Sequence, residues 1–335
     1  MIASKSRLLS ILASFSFLAV SAFGQSEKTD PLPSWNEGPA KKAILDFVRS
    51  ATDKGSLQYV PPEQRIATFD QDGTLWVEQP IYTQVTFALD RVKALAPKHP
   101  EWKDKEPFKA ILIGDKETIA KFTIQELEGI IAETHTGMTV DEFNAIVKDW
   151  LATAKHPRFK RPYTECIYQP MLEVMKHLRA SGFKTYIVSG GGQEFIRVYA
   201  EAVYGVPPEQ VIGSAGQTKF EIRDGKSVLV KLPKLLLLDD HGGKPEGINL
   251  VIGRRPVAAF GNSDGDREML EYTQGGGNGR LMMLVHHDDA KREYAYGPKS
   301  KIGTFSDELM AEAKKRNWTV ISMLNDWKRV FSFEK

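Results

Sequence analysis

Asp70 and Asp72, in the phrase Phe69-Asp70-Gln71-Asp72-Gly73-Thr74-Leu75, place two carboxylates one residue apart. They follow the apolar run Ile66-Ala67-Thr68-Phe69 and precede a Gly-Thr turn, an order that delivers both acids to the carboxyl end of a buried strand. Ligands of open α/β sheets bind at that end. Two acids held there repel unless a cation or a proton separates them, so the phrase points to metal-dependent chemistry. Three further clusters follow. Ser189-Gly190-Gly191-Gly192 comes straight after Tyr186-Ile187-Val188, and Lys244 sits in the loop Asp239-Asp240-His241-Gly242-Gly243-Lys244-Pro245. Gly261-Asn262-Ser263-Asp264-Gly265-Asp266 follows Val257-Ala258-Ala259-Phe260. Alone, each is commonplace: a hydroxyl on a Gly-rich turn, a solvated loop lysine, an Asp-Gly-Asp helix cap or calcium-like loop. Together, each at a strand end or loop of one α/β pattern, they are not.

The elements that must position these clusters are legible in the apolar pattern. Pro39 to Asp53 reads as a helix with Ala43, Ile44, Phe47, Val48 and Ala51 on one stripe, and Arg65 to Phe69 as the first core strand. Residues 76–165 carry only helical patterns: Ile81 to Leu95, Phe108 to Phe122, Ile124 to Glu133, and Val140 to Ala154 with Thr139 as N-cap. A helix from Pro170 closed by Gly182, a strand Lys184 to Val188 and a helix Gln193 to Tyr204 follow. Then come a short strand Gln210 to Gly213, a hairpin Lys219 to Val230 turning at Asp224-Gly225, and a strand Pro256 to Phe260. A helix from Asp264 to Tyr272 and a strand Leu281 to Val285 complete the pattern. Strands alternating with helices imply parallel βαβ units. Gly275-Gly276-Gly277 reads as a plain loop. His286-His287-Asp288-Asp289 does too, because adjacent side chains on a strand point apart and do not chelate together.

The chain has 335 residues, 41% hydrophobic and 26% charged, ordinary for a globular protein. Lys5 and Arg7 precede an apolar stretch to about Ala22, and Ala22-Phe23-Gly24 offers a small-residue cleavage site. The stretch is broken by serines and is shorter than the ~20 residues of a spanning helix. Residues 1–24 are therefore expected to be a secretory signal peptide, followed by a flexible leader over 25–37, with no stable membrane insertion after cleavage and an exported, periplasmic or secreted, location. Loss of 1–24 removes two basic residues and no acid, taking the formal charge from +2 to zero. No basic field of the kind that draws in nucleic acid remains. Cys166 is the only cysteine, so no intramolecular disulfide forms, and the thiol is expected to be packed rather than reactive.

The four clusters, in this order, resemble the haloacid dehalogenase superfamily, and within it the phosphatases of the phosphoserine-phosphatase-like branch. The resemblance covers roughly residues 62–290. It implies a Rossmann-like core with a parallel sheet flanked by helices (38–75 and 166–335) and an inserted all-helical cap (76–165). It implies that Asp70 is a nucleophile forming an aspartyl-phosphate and that Asp72 is the general acid and then the base. Ser189, the Gly190 backbone N–H and Lys244 would bind the phosphoryl group. Mg²⁺ would be held by Asp70, the Asp72 carbonyl and the fourth cluster. There the chain departs from the family, which usually has Asp where this chain has Asn262. Asn262 is favoured as ligand with Asp266 as the second acid, holding Lys244 or the metal waters, and Asp264 reads equally as ligand or helix cap. Within the cap, Glu78, Arg91, Lys93 and His135 could meet substrate, although a solvated or packed role is the plainer reading of each.

The leading expectation is an exported, Mg²⁺-dependent phosphomonoester hydrolase acting on a small phosphorylated metabolite. A dehalogenase would use the same Asp on carbon, without metal or second acid. A phosphomutase or phosphotransferase would pass the phosphoryl group to an alcohol, and a binding protein would hold phosphate without turnover.

Overall fold

The computed structural model describes residues 30–334. The expected signal peptide and the first residues of the expected leader lie outside the described residues. The rest of that leader does not trail free. Leu32 and Trp35 are buried, Ser34 bonds both oxygens of Glu173 through its N–H (2.9 Å) and hydroxyl (2.7 Å), and the Trp35 indole donates to Pro170 O (3.1 Å). The polar composition of the segment hides these two large anchors.

The strands are β1 (Ile66–Phe69), β2 (Lys184–Gly192), β3 (Val211–Arg223), β4 (Lys226–Leu237), β5 (Ala258–Gly261), β6 (Leu281–His286) and β7 (Thr319–Ser322). They form one sheet in the order β4-β3-β2-β1-β5-β6-β7. Only β3 and β4 pair antiparallel. All four residues of β1 and of β5 are buried, as strands covered on both faces require. Phe69 and Phe260 stack at 4.4 Å across the pair. Successive strands run from β1 outward to β4, and the chain then returns to the other side of β1 as β5. The topological switch point thus lies between β1 and β5, and in open α/β sheets ligands bind at the carboxyl ends beside such a point.

The helices are α1 (Pro39–Thr52), α2 (Thr83–Leu95), α3 (Phe108–Ile113), α4 (Lys116–Ile119), α5 (Ile124–His135), α6 (Val140–Thr153), α7 (Gln169–Ala180), α8 (Gln193–Tyr204), α9 (Gly243–Val251), α10 (Arg267–Gln274), α11 (Asp307–Lys315) and α12 (Met323–Asp326). The helix expected over 108–122 is two short ones. Gly114 turns the chain at φ 73°, and Asp115 caps α4 by accepting from Glu117 and Thr118 N–H (both 3.1 Å). Thr123 and Thr139 close capping boxes with Glu126 and Glu142. Phe87, Phe143, Val147 and Leu151 of this helical segment share one buried cluster with Phe69 and Phe260. The strand expected at 210–213 and the first arm of the hairpin are one continuous β3. Asp224 (φ 50°) and Gly225 (φ 74°) make its turn, the two positive φ values of a type I′ hairpin. The edge of β4 is partly covered by the helical segment, where Gly137 N–H donates to Lys231 O (3.0 Å) and Lys231 N–H to Met138 O (2.9 Å). No helix among the described residues is long and apolar enough to cross a membrane.

Candidate active site

The site is built where β1 and β5 end. Asp70 leaves β1 with its N–H donating to Phe260 O (2.9 Å), so the ladder continues past the strand and fixes the carboxylate beside the switch point. Gly73 (φ 77°) then reverses the chain. A β-carbon on it would overlap the Asn262 amide and the Glu78 carboxylate, so glycine is required there. Thr74 Oγ1 donates to Asn262 Oδ1 (3.0 Å) and lies 3.5 Å from Asp70 Oδ2.

Lys244 joins the first and fourth clusters. It is not on a loop, as the sequence reading had it, but in the first turn of α9. Its ammonium donates to Asp70 Oδ1 (2.6 Å), Asp266 Oδ1 (2.6 Å) and Val188 O (3.2 Å), which satisfies all three N–H groups. Burial and the Asp266 charge push the Asp70 carboxyl well above its ordinary value, and Lys244 pulls against them. Burial disfavours the Lys244 charge, but Asp266 and Asp70 outweigh it and raise that group. Asp266 Oδ2 accepts Asn262 N–H (2.9 Å) and Ser263 N–H (3.0 Å). Both its oxygens are therefore engaged, Oδ1 on Lys244 and Oδ2 on the turn. Asp264 is turned elsewhere as well: its Oδ1 accepts Ser306 N–H (3.1 Å) and Oγ (2.8 Å), tying the fourth cluster to the start of α11. The N-cap of the turn that follows is Ser263 rather than Asp264.

Asp72 is held from the other side. The Trp76 indole donates to its Oδ1 (2.7 Å), and Trp76 is itself stacked on Tyr199 at 4.7 Å. Burial pushes Asp72 up to about 6 against the opposing pull of that indole N–H. The second cluster abuts it. Ser189 Oγ accepts Gly191 N–H (3.1 Å), and a β-carbon on Gly191 would lie 3.3 Å from Ser189 Oγ and 3.5 Å from Asp72 Oδ2. Gln84 of α2 accepts Gly192 N–H at 2.6 Å, a contact from the helical segment onto the phosphate-loop candidate. The four clusters thus converge on one end of the sheet.

Residues 67–271, more than half of the chain and including all four clusters, match the sequence profile of a family described as haloacid dehalogenase-like hydrolase. The chain belongs to the haloacid dehalogenase-like hydrolases. No curated protein matches the sequence. Among solved structures, a functionally unknown protein from Anaerococcus prevotii DSM 20548 is 16% identical, with 84% of this chain and 91% of that chain covered and a TM-score of 0.54, which shows the shared fold. A protein of unknown function from Bordetella pertussis Tohama I is 17% identical over 77% of this chain and 98% of that one, with a TM-score of 0.47. A phosphoserine phosphohydrolase-like protein from Francisella tularensis subsp. tularensis SCHU S4 is 17% identical over 66% and 87%, with a TM-score of 0.37.

In this haloacid dehalogenase-like hydrolase the remaining sequence-named residues part ways. Glu78 is buried in the site, accepting from Asn262 Nδ2 (2.8 Å) and Tyr296 OH (2.6 Å). Lys93 pairs with Asp90 (3.2 Å) on an exposed face. His135 is buried against Phe87 and Phe143. Half-buried Arg91 carries an Nε without a partner among the described residues. Cys166 is packed, and burial pushes its thiol up to about 12. His287, read as loop, was missed: its Nε2 bonds Gly73 O (2.7 Å) and its Nδ1 bonds Glu293 (3.2 Å), bracing the turn that carries both acids. A recess of about 650 Å³ between α6, α8 and the hairpin holds none of these residues.

Oxygen donors for a small hard cation are in place. Asp70 Oδ2 and Asn262 Oδ1 flank the Thr74 hydroxyl, and the Asn262 amide presents its oxygen to that side because its nitrogen is bound to Glu78. The set is one carboxylate and one amide oxygen, and no three His, Cys, Asp or Glu side chains gather as ligands among the described residues. Such an oxygen set fits Mg²⁺, which keeps several waters and takes few protein ligands.

Proposed function

We propose that this protein is a phosphomonoester hydrolase that works through an aspartyl-phosphate on Asp70, with Mg²⁺ as cofactor and a small phosphorylated metabolite as substrate. The observation that carries the reading is Asp72: a second, half-buried carboxyl beside the nucleophile, pushed up to about 6 and oriented by Trp76. Attack on carbon has no use for such a group; release of an alkoxide from phosphorus does.

An Asp70 carboxylate oxygen attacks phosphorus in line, the ester P–O bond breaks, and the leaving oxygen takes the Asp72 proton. Asp72, now ionised, accepts a proton from water as that water attacks phosphorus. The P–O bond to Asp70 then breaks, giving phosphate and the free carboxylate. Lys244 keeps Asp70 oriented and offsets charge on the phosphoryl oxygens, and the Ser189 hydroxyl and Gly190 N–H bind those oxygens. Asp70, the Asp72 carbonyl and Asn262 would hold Mg²⁺, which supplies positive charge to the transferring group. Residues 76–165 serve as a cap that limits water, with Gln84 as its contact to the glycine loop. The signal-like residues 1–24 support export.

The test is phosphate release from a panel of phosphomonoesters, with chelator and with Mg²⁺ restored. Turnover that needs Mg²⁺ is expected. Equal turnover in chelator, or none with any phosphoester, contradicts the reading.

A further inference from the structure

Glu78 has no task in the reaction as written, yet it is buried within it. Its carboxylate is 2% exposed and has no Lys, Arg or His partner among the described residues. It instead accepts the Asn262 side-chain N–H (2.8 Å) and the Tyr296 hydroxyl (2.6 Å) on the same oxygen. Two glycines press on it: a β-carbon on Gly73 or on Gly303 would overlap it. Tyr296 is held in turn by stacking on His287 at 4.4 Å. The carboxylate is therefore clamped by the segment 287–303 against the amide of residue 262.

An amide differs from a carboxylate in a way that makes this arrangement useful. A 180° turn of its last torsion exchanges an oxygen for an NH₂ group, and only the oxygen attracts a cation. The Glu78 Oε1 atom accepts from both Asn262 Nδ2 and the Tyr296 hydroxyl, so beside Asn262 it permits one of the two orientations. Thr74, donating to Asn262 Oδ1 at 3.0 Å, agrees from the opposite side. We propose that Glu78 is a positioning residue that locks the Asn262 amide with its oxygen toward the cation site. This rests on the reading of Asn262 as a cation ligand.

The test is a cycle of four metal-free proteins, wild type, E78A, N262D and N262D/E78A, titrated with Mg²⁺ by calorimetry, with turnover measured in parallel. E78A should weaken Mg²⁺ binding about ten-fold or more, the usual effect of removing a group that orients a ligand. In the N262D background, where neither face of the side chain can be wrong, the same change should weaken binding less than about three-fold or strengthen it, since two adjacent carboxylates repel. Where E78A gives no cooperative melt, E78Q in both backgrounds carries the comparison, with a smaller loss, about three-fold, confined to the Asn262 protein. Equal losses in both backgrounds, or unchanged Mg²⁺ affinity with a raised KM for the ester, overturn the inference and make Glu78 a structural or substrate-contacting group. No Mg²⁺ binding by wild type overturns the ligand reading itself.

Discussion

The sheet-end site and the helical segment between β1 and β2 are held together differently. At the site, polar groups far apart in sequence meet: Lys244 with Asp70 and Asp266, Asn262 with Glu78, His287 with Gly73. In the helical segment the polar bonds are mostly local, three or four residues apart, as in Thr123 with Glu126, Thr139 with Glu142 and Asp115 with Thr118. Its interior is aromatic, with Phe87 touching Phe143, Trp150 and Phe195. Long-range charge pairing fixes atoms for chemistry at the expense of desolvation. Local caps and rings give stability without fixing any reacting group. Substitutions at the site should therefore act on turnover and on the charge balance, and those in the helical segment on melting.

The sharpest break of that contrast is Asp70→Asn, which should lower phosphomonoesterase turnover by at least about a thousand-fold while circular dichroism shows the fold retained. Activity within ten-fold of wild type would remove Asp70 from the reaction. Next is Lys244→Met. It leaves two buried carboxylates facing each other without their ammonium, and denaturant unfolding should show a loss of about 3–5 kcal/mol. A loss under ~1 kcal/mol would mean the trio is far better solvated than its burial implies.

The helical segment is tested through acid. Burial, with Lys231 and Arg91 nearby, lowers His135 to about 3 from its ordinary 6.5. The folded state keeps the ring neutral while the unfolded chain takes up a proton. The stability this gives is complete above pH 6.5 and is lost as pH falls toward 3, by up to about 1.4 kcal/mol per unit. His135→Phe should flatten that part of the Tm-against-pH curve; an unchanged slope would place the acid sensitivity elsewhere. The smallest effect is expected from Thr139→Ala, about 1 kcal/mol of stability from the lost cap with kcat unaltered, read by melting and turnover.

The same contrast explains what could be read without coordinates. Local rules found the Asp224-Gly225 turn, the Thr139 cap and the Gln193–Tyr204 helix. The acid pair and the Asn262 cluster were legible because strand ends carry their own signature of an apolar run followed by glycine and a polar group. Lys244 was recognised as chemistry but placed on a loop, since Gly242-Gly243 before it and Pro245 after it hide the start of α9. The four-residue β7 and its neighbour α11 left too short a pattern to see. The role of His287 is hidden in the sequence because neighbouring histidines on a strand diverge. That divergence is what sends His286 against Phe305 and His287 onto Gly73. The buried role of Glu78 depends on residues 184 and 218 positions away, beyond any local rule.

The most direct measurement is a crystal structure of the protein soaked with Mg²⁺ and fluoroberyllate, a mimic of a phosphoryl group bonded to a carboxylate. The account predicts a beryllium–oxygen bond to the Asp70 side chain, with fluorines facing Ser189, Gly190 and Lys244. An adduct on any other residue, or density for none with Mg²⁺ in place, would contradict it.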